Sequence, residues 1–268
     1  MATVITFGNF KGGVGKTTSA CMTSILLAEK GYKTLHVDFD PQADSTEFLA
    51  NVHDYELKED YISLFESLKE DRSLKRAIIS IADNLSLLPS GADLVGYERL
   101  VHEIVGDREG TEHFVLDAFL TEVRADYDVI VIDVPPTLNV YNSNALLASD
   151  AVVVVMKTQR KSLNATRKYL NFIEELNEVR KHYDYNILKV AGVLPYLQKK
   201  SSPLDDEIIK AANEEFSELL FEKHILERER IKRYDEEGIS FKQMDVHDKN
   251  VFKMYRDVTE ELLQRLNK

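Results

Sequence analysis

Two lysines, three glycines and two threonines stand together in the segment Lys11-Gly12-Gly13-Val14-Gly15-Lys16-Thr17-Thr18. Backbone N–H groups in a glycine-rich turn between a strand and a helix can bind phosphate oxygens. Lys16 is placed to neutralise phosphate charge, and the Thr17 hydroxyl is placed to bind Mg²⁺. The standard pattern, G-x-x-x-x-G-K-[ST], requires glycine at position 10, where this chain has Phe10, and a second lysine, Lys11, begins the loop. The segment therefore predicts a phosphate-binding loop that departs from the standard pattern.

Three aspartates follow predicted strands further along the chain. Asp38 and Asp40 lie two residues apart at the end of the second strand, so both side chains can face the same side of the sheet edge. Asp133 follows the apolar run 129–132, and a carboxylate in that position can hold Mg²⁺ through water. Ligands of open α/β sheets bind at the carboxyl ends of the strands, which makes these aspartates candidates for a ligand site.

The predicted elements that position these residues alternate between strands and helices. This order indicates an α/β fold with a mostly parallel, twisted sheet flanked by helices. No internal repeat and no Pro/Gly-rich hinge interrupts the sequence, so we expect one domain over residues 1–268, with a variable, acidic, helical region at about 45–126. Strands are predicted at 4–7, 33–37, 85–88, 129–132, 151–156 and 187–194, the last closed by Pro195, and helices at 18–30, 45–82, 163–180, 204–220 and 248–266.

The chain is acidic, with 34 Lys and Arg against 46 Asp and Glu and a net charge of −12. Residues 45–126 hold 18 acidic and 8 basic side chains, a local charge of −10, so the rest of the chain carries −2. This balance argues against a protein covered in basic charge but leaves room for a local basic patch. One cysteine, Cys21, excludes a disulfide framework within the chain, and we expect it to be buried. No segment has the pattern of a signal peptide or a membrane span, which favours a cytoplasmic protein.

The loop resembles the deviant Walker A loop, K-G-G-x-G-K-[ST]-[ST], of the ParA/MinD family of P-loop ATPases. The resemblance implies ATP and Mg²⁺ as cofactors and an ATP-sandwich homodimer in which Lys11 reaches the nucleotide of the partner subunit. The segment 37–42 is similar to the family's D-x-D-P-Q motif, whose second aspartate, here Asp40, positions the attacking water. Asp133 matches the D-x-P-P motif, which implies a role in holding Mg²⁺. The expected catalytic residues are Lys11, Lys16 and Asp40.

Two further segments extend the resemblance over most of the chain. Leu88-Pro89-Ser90 is similar to the family's short strand that ends in Pro-Ser. Residues 225–238 are similar to its Ile-Pro-Arg-Asn-x-Arg stretch, with Arg230 on the second arginine, and they depart from it at 226–228. That stretch lies near the adenine in the family. Because this chain departs from it at 226–228, the resemblance assigns no adenine contact here.

Other branches of the superfamily fit the sequence less well. One cysteine disfavours iron–sulfur reductases and arsenite pumps, and the absence of a terminal tyrosine cluster disfavours a bacterial tyrosine kinase. A MinD-like protein would end in an amphipathic helix that binds membranes. Here acidic residues accompany the apolar stripe and anionic membranes would repel them, so a helix packed on the core is favoured. The stripe consists of Val251, Tyr255, Val258, Leu262 and Leu266.

Basic residues concentrate in 157–168 and in 223–233, with Lys199 and Lys200 as an additional pair. Such a local excess is typical of a surface that contacts nucleic-acid phosphates, although a solvated helix face gives the same pattern. Arg230 also matches a DNA-contacting position of ParA proteins. The predicted DNA-binding residues are Arg230, Arg228, Lys232, Arg233, Lys199 and Lys200.

These features favour a ParA-type partition ATPase without an N-terminal helix-turn-helix domain, since the first predicted strand begins near residue 1. The resemblance implies an ATP dimer that binds nonspecific duplex DNA on the nucleoid and is stimulated by a centromere-binding partner protein. Two alternatives stay open. One is a MinD-like positioning ATPase that acts on a membrane or a protein scaffold, and the other is an ATP-dependent ligase of the dethiobiotin synthetase type.

Overall fold

A sheet of eight strands forms the centre of the computed structural model, which describes residues 1–58, 60–106, 110–231, 234 and 244–267. The strands are β1 (Thr3–Gly8), β2 (Thr34–Asp38), β3 (Ile79–Ala82), β4 (Leu85–Leu88), β5 (Val129–Asp133), β6 (Ala151–Lys157), β7 (Lys189–Gln198) and β8 (Ile225–Leu226). Their order across the sheet is β3-β4-β2-β5-β1-β6-β7-β8. Neighbouring strands are parallel except for β3 and β4, which confirms the predicted mostly parallel α/β sheet.

Helices cover both faces of this sheet. They are α1 (Lys16–Glu29), α2 (Asp44–Val52), α3 (Leu64–Asp71), α4 (Tyr97–Val105), α5 (Val115–Leu120), α6 (Val140–Ala148), α7 (Arg160–His182), α8 (Pro203–Phe216) and α9 (Val246–Arg265). Phe7 of β1 packs with α1 and α9 on one face, whereas Val4 packs with α3, α4 and α5 on the other. Because both faces are covered, β2 and β5 are buried along their whole length.

The predicted helix over 45–82 is wrong in its second half. Helices α2 and α3 lie within this range, but α3 ends at Asp71 and the chain returns as β3, an antiparallel strand at the edge of the sheet. Ile79 and Ile81 are more buried than Ser80 between them, which is the two-residue period of a half-buried strand. The acidic, amphipathic pattern of the preceding helices hides this change of period. The sequence patterns also do not predict α4, α5 or α6.

Strand β7 continues through Pro195 to Gln198, so the expectation that Pro195 ends the strand is wrong. The neighbouring β8 has only two residues and pairs at Tyr196 and Gln198. This side of β7 is therefore almost an edge, where a residue without an N–H is tolerated.

The apolar stripe near the C-terminus packs on the core, as predicted. Val251, Tyr255, Val258 and Leu262 are buried in the same cluster as α1, and Leu266 packs against it. Cys21 is buried there as well. Among the described residues, no helix combines the length and the hydropathy needed to cross a membrane.

Candidate functional site

The phosphate loop occupies the turn between β1 and α1. Gly13 and Gly15 adopt φ values of 67° and 88°, in the left-handed region that favours glycine. A Cβ added at Gly15 would lie 2.2 Å from the ring of Tyr196, so the backbone also needs glycine for space. Glycine at these positions thus fixes a loop whose backbone can approach a ligand closely.

Asn9 fixes the first half of the loop to the rest of the fold. Its Nδ2 donates to the carbonyl oxygen of Val155 at 2.9 Å and to Oγ1 of Thr166 at 3.0 Å. Its Oδ1 accepts from the backbone N–H of Lys11 at 3.1 Å. The backbone of Lys11 is therefore held in place while its side chain is exposed to solvent.

The N-terminus of α1 has the features of an anion site. Its first turn contains no acidic residue, and Gly15 at the N-cap provides no side-chain hydrogen bond to the first N–H groups. Lys16 lies in this turn and is buried. Burial lowers the pKa of the Lys16 ammonium, while the carboxylates of Asp133 and Asp40 act in the opposite direction. The turn therefore combines a buried cation with the N-terminal end of a helix dipole.

The predicted aspartates do meet beside this turn. Strand pairing places Asp38 opposite Asp133 and places Asp133 opposite Phe7 at the end of β1. Burial and, to a smaller extent, the nearby Asp38 carboxylate raise the pKa of Asp133 to about 8, although the side chains of Lys16 and Thr17 oppose the shift. Two buried carboxyl groups on adjacent strands thus lie next to Lys16, and the one on Asp133 binds its proton more tightly than an ordinary aspartate.

Asp133 is the residue best suited to hold a cation. Both of its carboxylate oxygens are buried and accept no hydrogen bond of good geometry within the residues that the structure describes, although the Thr17 hydroxyl is close enough to lower the pKa of Asp133. A buried carboxylate without a partner is costly, and a bound cation removes that cost. The hard oxygen of Asp133 and the hydroxyl of Thr17 are ligand types that suit Mg²⁺. The residues present therefore fit a magnesium ion.

Asp38, by contrast, is already fully engaged inside the protein. Its Oδ2 accepts from the backbone N–H and the hydroxyl of Thr46 at 2.8 and 2.7 Å, and its Oδ1 accepts from the N–H of Asp40 at 3.1 Å. Burial raises the pKa of Asp38 to about 6 despite these bonds. Asp38 therefore shapes the turn that carries Asp40.

Asp40 is half-buried at the end of this turn. Its Oδ1 accepts from the N–H of Gln42 at 3.0 Å, and its carbonyl oxygen accepts from the hydroxyl of Ser90 at 2.7 Å. Burial raises the pKa of Asp40, and Lys16 lowers it. The Pro-Ser segment that the sequence singles out thus anchors the backbone of Asp40.

The segment 134–139, which follows Asp133, lies against the phosphate loop. A Cβ added at Gly12 would be 3.6 Å from the ring of Pro136. Nδ2 of Asn142 donates to the carbonyl oxygens of Pro135 and Thr137 at 2.8 and 2.6 Å. The phosphate loop, Asp133 and this segment therefore form one continuous site.

The predicted DNA-binding residues that the structure describes follow the ends of β7 and β8. Gln198, the last residue of β7, pairs with Leu226, the last residue of β8; Lys199 and Lys200 follow the first strand, and Arg228 and Arg230 follow the second. Arg228 and Lys200 are exposed, whereas Lys199 is 3.3 Å from the carboxylate of Glu227. Lys232 and Arg233 lie outside the described residues.

Arg230 is ion-paired with two carboxylates at the start of α9. Its guanidinium contacts Asp245, and its Nε is 3.0 Å from Oδ1 of Asp248. In the other basic cluster, Arg160 pairs with Glu207 at 2.9 Å and Arg167 donates to Glu215. Several cations that the sequence presents as a basic excess are therefore partly neutralised by local partners.

Three residues of the site are not identified by the sequence patterns. Asn9 is a polar residue between a buried strand and the phosphate loop, which is a signal that the sequence offers. Thr46 and Asn142 lie in segments that predict nothing about the site. Their importance comes from contacts with Asp38 and with 134–139, which only the fold brings together.

Comparisons with known proteins agree with this geometry. Residues 2–183 match the AAA_31 family, an AAA domain. The sporulation initiation inhibitor protein Soj of Bacillus subtilis is 29% identical over 223 residues, which cover 82% of this chain and 83% of Soj. The chromosome partitioning protein ParA of Myxococcus xanthus is 29% identical over 222 residues, which cover 82% of this chain and 73% of ParA.

Solved structures resemble the whole described fold. McdA of Cyanothece, in a complex with ATP, has a TM-score of 0.82 at 25% identity and covers 99% of this chain and 96% of its own. Cobyrinic acid a,c-diamide synthase of Mycobacterium smegmatis, with a bound ATP analog and magnesium, has a TM-score of 0.78 at 26% identity, with coverage of 100% and 97%. Nucleotide and Mg²⁺ therefore bind to proteins of this fold. From the family match, the relatives and the loop geometry, the chain belongs to the AAA_31 family and is a ParA-type P-loop ATPase.

Proposed function

We propose that this chain is a partition ATPase that forms an ATP-dependent dimer and binds nonspecific duplex DNA on the nucleoid. A centromere-binding partner protein would stimulate its ATP hydrolysis. The observation that carries the nucleotide part of this proposal is the buried carboxylate of Asp133, without a hydrogen-bond partner in the described structure, beside Lys16 and Thr17. The relatives Soj and ParA support the cellular role.

Different groups of the loop bind different parts of Mg²⁺·ATP. Backbone N–H groups of the segment 11–18 and the N-terminus of α1 hold the phosphates, and Lys16 neutralises their charge. Thr17 would bind Mg²⁺ directly and Asp133 would hold it through water. When bound, Mg²⁺ offsets the charge on the phosphoryl oxygens during transfer. Ionised Asp133 is the form that this role needs.

Asp40 is assigned to orienting the attacking water. One of its carboxylate oxygens is used by Gln42, and the turn is fixed by Ser90 and Asp38, so the other oxygen is held in a defined direction. A positioned carboxylate of this kind acts on the nucleophile without gripping the nucleotide.

Lys11 is assigned to the second subunit of the dimer. Its backbone is fixed by Asn9, but its side chain points into solvent and leaves the charge of its own loop to Lys16. A lysine in this situation is free to contact the nucleotide of a partner, as an arginine finger does.

For DNA, the ion pairs rank the four predicted residues that the structure describes. Arg228 and Lys200 are exposed and are the first contacts we assign. Lys199 and Arg230 contribute only after their pairs with Glu227 and with Asp245 and Asp248 loosen. Each subunit then offers few phosphate contacts, and the acidic remainder of the surface repels DNA. Dimerisation doubles the contacts, which makes binding depend on ATP.

The test is duplex DNA binding by wild type, Arg228→Ala and Arg230→Ala, each with ADP and with ATP. Wild type should bind with ATP·Mg²⁺ regardless of sequence and release DNA between about 50 and 200 mM salt. Arg228→Ala should weaken binding and reduce the log–log salt slope by about 0.9 for each DNA phosphate that the protein no longer neutralises. Arg99→Ala, on the remote α4, is the control and should change nothing.

Absence of ATP-dependent DNA binding by wild type at low salt would overturn the partition proposal. A positioning ATPase on a protein scaffold would then be the better account. The ligase alternative, which the likeness to the diamide synthase keeps open, requires ATP turnover that depends on a small acceptor molecule. ATP hydrolysis by the purified chain without an acceptor separates the two.

A further inference from the structure

Asn142 connects α6 to the segment 134–139, which lies against the phosphate loop. It lies in the first turn of α6 and is fully buried. Its Nδ2 holds two carbonyl oxygens of the segment 134–139, those of Pro135 and Thr137. Pro135 comes two residues after Asp133, so this amide fixes the backbone that leaves the candidate magnesium ligand.

Tyr169 of α7 sets the orientation of that amide. Its hydroxyl is 3.0 Å from Oδ1 of Asn142 and donates to it. With Oδ1 occupied by a donor, Nδ2 is the group that faces the carbonyl oxygens of 134–139. The Tyr169 ring is fully buried, so it cannot exchange this bond for water.

The same tyrosine also touches the start of the phosphate loop. A Cβ added at Gly8 would lie 1.9 Å from the Tyr169 hydroxyl, so the hydroxyl sits directly against the end of β1. The Phe10 ring meets the Tyr169 ring edge-on at 4.7 Å. One turn earlier on α7, Thr166 accepts from Asn9, which holds the N–H of Lys11. Helix α7 therefore contacts the phosphate loop and, through Asn142, the segment 134–139.

We propose that Tyr169 and Asn142 are positioning residues for ATP hydrolysis, which fix the backbone of 134–139 relative to the phosphate loop. The inference rests on the proposed hydrolysis, because its kinetic consequence is a lower kcat. Variants of this pair keep the phosphate loop, Lys16 and the Asp133 carboxylate, so the affinity for nucleotide should change little. The pair acts through Asp133 and the backbone beside it and does not touch the reacting atoms.

A second Tyr–Asn pair provides a matched control, because its asparagine also lies on α6. The hydroxyl of Tyr97 donates to Oδ1 of Asn144 at 3.0 Å, and both residues are fully buried. Asn144, however, donates to Glu112 and Val140 and accepts from Leu116, so its bonds do not reach 134–139. The two pairs match in chemistry and burial and differ in what the asparagine holds.

The experiment compares Tyr169→Phe with Tyr97→Phe and with Asn142→Ala. Each tyrosine variant loses one buried hydrogen bond and should lower the melting temperature by a similar amount. Tyr169→Phe should reduce kcat about fivefold or more, with the affinity for a fluorescent ATP analogue within about twofold of wild type. Tyr97→Phe should leave kcat unchanged. The double variant Tyr169→Phe/Asn142→Ala should be no slower than Asn142→Ala alone, because the two residues act as one unit.

Hydrogen–deuterium exchange of the peptide that contains 134–139 gives a readout that needs no hydrolysis. Exchange should rise in Tyr169→Phe and stay at the wild-type level in Tyr97→Phe. Equal exchange and equal kcat in the two tyrosine variants would overturn the positioning role. If wild type does not hydrolyse ATP while the exchange difference appears, the proposed function fails and the structural link between α7 and 134–139 stands.

Discussion

Charged side chains are arranged in opposite ways at the phosphate loop and at the start of α9. Beside the loop, the carboxylate of Asp133 is buried without a hydrogen-bond partner in the described structure, although Lys16 is close. At the start of α9, Asp248 accepts from the hydroxyl of Tyr234 and from the backbone N–H of the N-cap residue Asp245, and it pairs with Arg230. Both aspartates are buried, but only the second is satisfied by its own chain.

This contrast separates a ligand site from a structural one. A buried charge without partners costs free energy in the empty protein, and that cost is recovered when a ligand binds. A buried charge with several partners stabilises the local fold and has less to offer a ligand. Arg230, which the sequence resemblance predicts to contact DNA, is one of the charges that already has partners within the chain.

The first expected effect is on nucleotide affinity, on which hydrolysis and dimerisation both depend. Lys16→Ala should reduce affinity for ATP by at least about 30-fold, because it removes a buried charge-assisted contact worth about 2–5 kcal/mol. Lys30→Ala, at the other end of α1 and paired with Glu260 at 3.0 Å, is the control and should bind normally. Titration with a fluorescent ATP analogue measures both. Wild-type affinity in Lys16→Ala would contradict the assignment of Lys16 to the phosphates.

The next effect separates hydrolysis from dimerisation. Asp40→Ala should bind ATP, show a kcat about 100-fold lower and accumulate as a dimer, because only the orientation of water is disturbed. Lys11→Ala should also bind ATP but should not form a stable dimer, since its side chain can no longer reach the partner's nucleotide. Light scattering with ATP measures the mass of each variant. A monomeric Asp40→Ala beside a dimeric Lys11→Ala would reverse the assigned roles.

A smaller effect concerns pH. The pKa of Asp133 is about 8 in the folded, ligand-free protein and near the ordinary aspartate value of 3.8 when the chain is unfolded. The folded state therefore holds a proton that the unfolded state lacks between these values, so this residue lowers the free energy of unfolding as pH rises from about 4 to about 8. Mg²⁺ needs the ionised carboxylate, so affinity for Mg²⁺·ATP should increase from pH 6 to 8, by at most about tenfold per pH unit. Asp133→Asn should remove this dependence in the same titration.

The sequence predicts those parts of the site whose roles are tied to local patterns. The lysine–glycine loop and the aspartates after strands identify themselves by type and by position at the strand ends, and the fold class follows from the alternation of elements. Asn142 and Tyr169 are 27 residues apart in the chain and meet only through the packing of α6 and α7. The pairing of Arg230 also depends on α9, whose N-cap acids lie 15 and 18 positions further on. The sequence patterns therefore miss hydrogen bonds and ion pairs between residues that are far apart in the chain.

Thermal melting of Asp133→Asn and Asp248→Asn at pH 8, without ligand and with Mg²⁺·ATP analogue, tests the central claim most directly. Without ligand, Asp133→Asn should melt a few degrees above wild type, because it removes a costly buried charge, and Asp248→Asn should melt below it. Adding Mg²⁺·ATP analogue should raise the melting temperature of wild type and of Asp248→Asn by similar amounts and that of Asp133→Asn by much less. A ligand-free Asp133→Asn that melts below wild type, with an undiminished gain from Mg²⁺·ATP analogue, would contradict the account.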